Sequence, residues 1–175
     1  FIYFSLTSNI KKERGKTIGA TRMDRAYDIG SFDLQREILE NATGLSIDFQ
    51  IVLEDTAVKN AVDQVFGGLT VNVPFDVQTR EFRDEGKMFP ARHFSKGVQK
   101  MNGEEALQFI KAWSDPPEPS KERNVRKHIV MSTLFDELRN KAKGKDVLFG
   151  LRAVPFFTGE RMKGNITVDF DEKKF

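Results

Sequence analysis

Gly97-Val-Gln-Lys-Met-Asn-Gly-Glu-Glu-Ala-Leu-Gln-Phe-Ile-Lys111 is the stretch from which the rest of the 175-residue chain can be ordered. Asn102 and Glu105 have capping-box spacing: an Asn side chain accepts the N–H three residues on, while the Glu reaches back to the cap's own N–H. Met101 just before the cap can staple onto Ala106, so a helix is expected over Gly103 to Trp113. Asp115-Pro-Pro-Glu-Pro-Ser120 cannot continue it, because proline lacks the backbone donor and clashes with the preceding turn. After this stiff connector a longer helix, about Lys121 to Lys143, places Val125, Ile129, Ser132, Phe135 and Leu138 inward at helical spacing, with Gly144 as its stop. Working upstream, Leu69 to Val73 reads as a strand behind a helix that Asp55 can cap and that Gly67-Gly68 closes, with Val58, Ala61, Val62 and Val65 on one face. The polar stretch Pro74 to Lys100 reads as a hairpin and loop excursion with a charged turn at Asp84-Glu85-Gly86.

Further out, Leu45, Ile47, Phe49, Ile51 and Leu53 alternate with polar residues at period two, the pattern of a half-buried strand. A helix before it is expected to start at Ser31 or Asp33, carrying Leu34 and Ile38 one turn apart and ending at Gly44. Phe1 to Ser8 begins inside a strand, Ile10 to Lys16 suits a hairpin turn, and Thr17 to Thr21 is the returning strand. At the other end, Val147 to Phe157 and Asn165 to Phe170 read as two β-runs, making residues 145–175 a closing hairpin. Strands and helices alternate, so the expected class is α/β: one domain over residues 1–175 with its N-terminal part missing, and a mixed central sheet flanked by helices on both faces.

Composition narrows the function. Cysteine is absent and there are two histidines, which excludes disulfide frameworks, cysteine nucleophiles and thiolate metal sites and disfavours His-based zinc. His93 and His128 have no local partners and read as surface or packing residues. A formal net charge of +2, from 28 basic against 26 acidic side chains, argues against nucleic acid as a partner, so any anion site must be local. No apolar run reaches the roughly 20 residues that span a bilayer.

The densest local cluster is Arg123, Arg126 and Lys127, related by i+3 and i+4 at the start of a helix, where forked guanidinium donors and an ammonium can grip phosphate oxygens. The bland alternative is a solvated basic face partly neutralised by Glu118 and Glu122. Arg22-Met-Asp24-Arg25, between a strand and a helix, is a second candidate, since an Asp among basic groups can take a hard cation such as magnesium or accept a proton. A surface ion pair is the plain reading of the same residues.

Four stretches in order, Arg22 to Gly30, Gly44 to Asp48, Val62 to Pro74 and Gly97 to Lys111, resemble the LytR-CpsA-Psr family of bacterial cell-envelope proteins. The third and fourth are similar to its "VDxxGGVxVxVP" and "GxxxLNGxxALxYxR" signatures, with Asp63 one residue early relative to Gly67-Gly68, so that Gln64 takes its place. The resemblance covers roughly residues 1–145 and leaves the tail beyond Lys145 unplaced. It implies an α/β domain tethered outside the membrane by a segment beyond this chain, acting as a magnesium-dependent phosphotransferase or pyrophosphatase. Its partners would be a polyprenyl pyrophosphate-linked glycopolymer and a peptidoglycan or similar acceptor.

Lys111 then matches the first Arg of the family's "YVRxR" segment, and Arg123 and Arg126 match its "RxxRQ" pair. Trp113 replaces the second Arg of the former and Lys127 the Gln of the latter. The "SIPRD" segment has two registers. One uses Ser5 and puts Ser8 and Asn9 in place of its Arg and Asp; the other uses Thr17 to Arg22, making Arg22 the phosphate-binding catalytic Arg, with the Asp either lost or supplied by Asp24 as the available catalytic and metal-binding acid. Two functions follow: transfer of the glycopolymer to a cell-wall acceptor, or a degenerate domain that binds the carrier without the chemistry and serves envelope maintenance.

Overall fold

The computed structural model describes residues 3–4, 21–84, 86–115, 119–144 and 146–170. They fall into two units, one of residues up to Val52 together with those from Val168, the other from Leu53 to Thr167.

In the first unit, β1 (Tyr3–Phe4) pairs antiparallel with β2 (Thr21–Arg22), which shares Thr21 with the returning strand expected over Thr17 to Thr21; the rest of that strand and the turn at Ile10 to Lys16 lie outside the described residues. The helix α1 runs from Met23 to Thr43, so it starts directly after Arg22 and eight residues before Ser31. Leu34 and Ile38 are buried, as their spacing predicts, and Gly44 ends the helix at φ 69° with its N–H on the Glu40 carbonyl. The strand β3 is Phe49–Leu53, shorter than the alternating run; Leu45 is exposed. It shares a two-stranded sheet with β11 (Ile166–Phe170). Arg36 ties α1 to Asp169 at 2.5 Å, and Gln50 donates to the Phe32 carbonyl at 3.0 Å.

The second unit is built on α2 (Asp55–Asn60) and its continuation, a π-helical turn over Ala61–Phe66. Gly67 adopts φ 66° and returns its N–H to the Val62 carbonyl, the i to i+5 bond of a π turn, and the Gly68 N–H bonds the same carbonyl at 2.8 Å. The two glycines are therefore the helix stop that their position predicts. β4 (Leu69–Val73) follows with strict alternation, Leu69, Val71 and Val73 inward and wholly buried, and pairs antiparallel with β9 (Gly97–Met101) from Leu69↔Met101 to Val73↔Gly97. Between them, β5 (Val77–Thr79) sits centrally in a three-stranded sheet with β8 (His93–Phe94) and β10 (Ser114–Asp115), and β6 (Phe82–Asp84) and β7 (Lys87–Phe89) form the hairpin expected at Asp84 to Gly86. This excursion is more than surface, because Val77, Thr79, Phe89 and Phe94 are all buried.

The helix α3 (Gly103–Lys111) starts as its sequence dictates. The Asn102 side chain accepts the Glu105 N–H at 2.9 Å and Glu105 accepts the Asn102 N–H at 3.0 Å. Gly103 is required by contact: a Cβ there would lie 2.2 Å from the Lys59 carbonyl oxygen at the end of α2. Its N–H also donates to the Asp63 carboxylate at 2.7 Å. The core gathers Val58, Val62, the β4 valines, Phe94, Met101, Ala106, Phe109 and Ile110 around Val130 and Leu134 of α4 (Pro119–Lys143).

Two expectations are corrected here. Among the described residues α4 buries Arg126, Val130 and Leu134 at i+4 spacing; of the expected face Ile129 and Leu138 do pack against the cores, but Val125 and Phe135 are exposed, because a guanidinium, not a valine, fills the first buried place. And Val147 to Phe157 is no strand. It lies within α5 (Val147–Met162), a helix opened by Asp146, whose carboxylate accepts the Phe149 N–H at 3.0 Å, and containing Pro155. The tail is thus a helix followed by β11 rather than a hairpin. Val65, Phe149 and Ala153 form a second small core with Phe66, Leu138, Phe156 and Phe157 around them. The chain is α/β as expected, its strands distributed among the described residues over five small sheets.

Candidate functional site

The C-terminal end of α3 and the first turns of α4 meet through one side chain. Arg126 is 0% exposed; its Nη1–H donates to the Phe109 carbonyl at 2.6 Å and its Nη2–H to the Ala112 carbonyl at 2.7 Å. These carbonyls belong to the last turn of α3, where a helix leaves acceptors unpaired and its dipole favours a cation. Burial pushes the Arg126 pKa down, Glu122 offsets part of that, and neighbouring Arg123 adds to it. The Phe109 ring lies 5.5 Å from the guanidinium carbon. The expectation that Arg123, Arg126 and Lys127 point to one side therefore does not hold: Arg126 turns inward and clamps α3, while Arg123 is partly exposed and Lys127 exposed. Arg123 stacks over the Trp113 indole at 4.2 Å, and Ser114 Oγ donates to Glu122 at 2.7 Å just beneath.

Lys111, the last residue of α3, is held by two acids that sequence reasoning assigned elsewhere. Its ammonium bonds and pairs with Asp55, the first residue of α2, and with Asp84, the last of β6. Burial alone would lower the lysine pKa. The hydrogen bonds to Asp55 and Asp84, and their charges, outweigh it and raise the value above the ordinary 10.5. Asp55 had read as a helix cap, but Glu54 holds the cap position without a side-chain bond and the Asp55 carboxylate goes to Lys111. Nothing in the sequence pairs residues 55, 84 and 111; only the packing of α2, β6 and α3 does.

Arg22 and Asp24 lie in the first unit, at the end of β2 and the beginning of α1; their side chains fall outside the described residues. The other four candidate residues are in the second unit. Among the described residues no three His, Asp or Glu groups come together, and the Asp55–Asp84 pair already has Lys111 as its cation. The described residues thus do not fit a magnesium site. An open cleft of about 440 Å³ lies by Asp63, Gly67, Gly68, Lys100, Met101, Asn102 and Glu105. Its polar groups Asp63, Asn102 and Glu105 are already used to start α3, and none of the six candidate residues lines it. His93 and His128 are both exposed, as read from the sequence.

Comparison with known proteins places these elements. The LytR_cpsA_psr family profile matches residues 8–170, which carries the likeness through α5 and β11, well past Lys145. The chain is 31% identical over 125 residues to the polyisoprenyl-teichoic acid–peptidoglycan teichoic acid transferase TagV of Bacillus subtilis strain 168, covering 71% of this chain and 31% of that protein. It is 28% identical over 155 residues to the transferase TagU of Bacillus anthracis, covering 87% of this chain and 46% of the relative. The chain therefore spans less than half the length of these two relatives, 31% of the one and 46% of the other. Among solved structures, B. subtilis TagU superposes with a TM-score of 0.61 at 21% identity, covering 91% of this chain and 61% of that one. B. subtilis TagV gives 0.59 at 25%, covering 87% and 53%. With a family match over residues 8–170 and the same fold, the chain belongs to the LytR_cpsA_psr family.

Proposed function

We propose that this chain acts as a cell-envelope phosphotransferase-type domain, binding a polyprenyl pyrophosphate-linked glycopolymer outside the cytoplasmic membrane and passing it to a peptidoglycan or similar acceptor. The observation that carries the reading is the family match over residues 8–170, joined to relatives named as teichoic acid transferases. The geometry supports it at one place. Lys111 ends α3, Arg123 and Lys127 stand in the first turns of α4, and Arg126 fixes the junction of the two helices from within. Phosphoryl transfer asks a protein mainly for alignment and charge stabilisation, and a rigid cationic junction can supply both. In this reading Arg123 and Lys127 meet the phosphates, Lys111 adds charge and Arg126 is a positioning residue; the family motif assigns Arg22 to phosphate and Asp24 to magnesium, with a tether outside this chain.

A second reading, binding without transfer, is favoured by the engagement of Lys111 with Asp55 and Asp84 and by Trp113 at a place where the family has an arginine. Native mass spectrometry of the chain with a polyprenyl pyrophosphate, with and without magnesium, separates the two. Ligand that binds and loses phosphate only with magnesium supports transfer; ligand that binds and stays intact supports the second reading; no binding overturns both. Arg123→Ala should weaken binding about tenfold under either, since a charge-assisted contact contributes roughly 1.5–3 kcal/mol.

A further inference from the structure

The helix α5 is apolar on two opposite sides. Phe149, Ala153, Phe156 and Phe157 face the small core around Val65. Successive residues turn by about 100°, which gathers Val147, Leu151, Val154 and Met162 into an opposite stripe, with Leu148 and Pro155 beside it. Val147, Leu148, Leu151, Val154 and Met162 are each between 65% and 84% exposed. A helix hydrophobic all round needs a cover on its second side.

The charges around the stripe indicate which cover. Arg152 and Arg161 flank it on its two sides, both exposed, and Lys143 and Lys163 stand exposed just before and just after the helix. The helix has one acid, Glu160, and it points inward: its side chain is 3% exposed and binds Lys163 at 2.9 Å and Asn165 at 2.7 Å. Asp146 is the remaining acid at hand, and it caps the first turn. A second copy of the same face would meet this cationic rim with another cationic rim. An anionic surface complements it, with arginine and lysine stems lying along the apolar stripe and their heads reaching phosphate. At 16 residues the helix is about 24 Å long, and no helix among the described residues is long and apolar enough to cross a membrane. This is the pattern of a helix lying in the plane of a bilayer interface.

We propose that α5 is an interfacial helix that seats the Leu53–Thr167 unit on an anionic lipid bilayer, with Val147, Leu151, Val154 and Met162 inserted and Arg152 and Arg161 at the headgroups. The inference is independent of the chemistry proposed at Lys111 and Arg123, and its failure leaves that reading untouched. The test is sedimentation of the chain with phosphatidylglycerol vesicles and with phosphatidylcholine vesicles, at low and high salt. Binding to the former, weakened by salt and by neutral lipid, is expected. Leu151→Glu with Val154→Glu should lower the vesicle partition at least tenfold. Arg152→Glu should lower it roughly fivefold or more, near the contribution of one basic residue at an anionic surface. All these side chains are exposed, and an unchanged circular dichroism melt confirms that the variants fold. Binding that ignores the Glu substitutions, or no binding to phosphatidylglycerol at all, overturns the proposal. Concentration-dependent dimerisation that Leu151→Glu abolishes, without vesicle binding, also overturns it and assigns the stripe to a second copy.

Discussion

The helices α3 and α5 solve the same problem in opposite ways. α3 buries six of its nine residues, whereas α5 buries three of sixteen. Both ends of α3 are fixed by polar groups: a reciprocal cap at Asn102 and Glu105, the Asp63 carboxylate on Gly103, and the Arg126 guanidinium on the carbonyls of its last turn. α5 has one side-chain capping bond, from the Phe149 N–H to Asp146, closes its other end through backbone bonds of Gly164 and Asn165, and packs through a few rings. The difference shows that a helix is located by the polar atoms at its ends as much as by the amount of apolar surface it carries.

That contrast can be broken first at Arg126. Arg126→Ala removes two hydrogen bonds from buried carbonyls and opens a cavity, and should destabilise the chain by about 4 kcal/mol in urea titration. Arg126→Met, which keeps most of the volume, should recover part of that loss. The caps give the next largest difference. Asn102→Ala should lower stability by about 1–2 kcal/mol, and Asp146→Ala by about 0.5–1 kcal/mol, because the first breaks a reciprocal pair and the second a single bond. Equal effects would mean that the two helix starts are equivalent after all.

The smallest effect should be a pH dependence at Glu160, the one inward acid of α5. Its bond to Lys163, then that to Asn165, hold its carboxyl below the ordinary 4.5 despite burial. A depressed carboxyl stabilises above its unfolded pKa and loses that contribution as pH falls through the folded value. Melting temperatures followed from pH 7 down to pH 3 should therefore show Glu160→Gln below the parent chain at neutral pH and the gap closing in acid. A constant gap would show that packing, not charge, is what Glu160 supplies.

Where polar signals are local, the sequence was legible. The Asn102 cap, the Gly44 and Gly67-Gly68 stops and the turn before Gly86 all stand where their chemistry placed them. Val147 to Phe157 was misleading because a run apolar on every side carries no period to separate strand from helix, and the capping value of Asp146 was overlooked behind Gly144. The inward turn of Arg126 was hidden by a rule that sends charge to the surface, and it takes the place expected of Val125 on the inner face of α4. At the candidate site, Lys111 could be named from a motif, but Asp55 and Asp84 could not. They are 56 and 27 residues away, and only tertiary packing brings them to one ammonium.

The wide turn at Ala61–Phe66 fixes the phase in which the chain enters β4. One residue added to an ordinary α-helix rotates everything beyond it by about 100°, and one added to a strand exchanges its two faces. A coil closed by an i to i+5 bond holds one residue more than an α turn in the same rise, and from its end Leu69, Val71 and Val73 run inward while Asp63 reaches the Gly103 amide. Tightening that single coil to α-helical spacing would carry the paired glycines, and the strand behind them, round to another side of the helix.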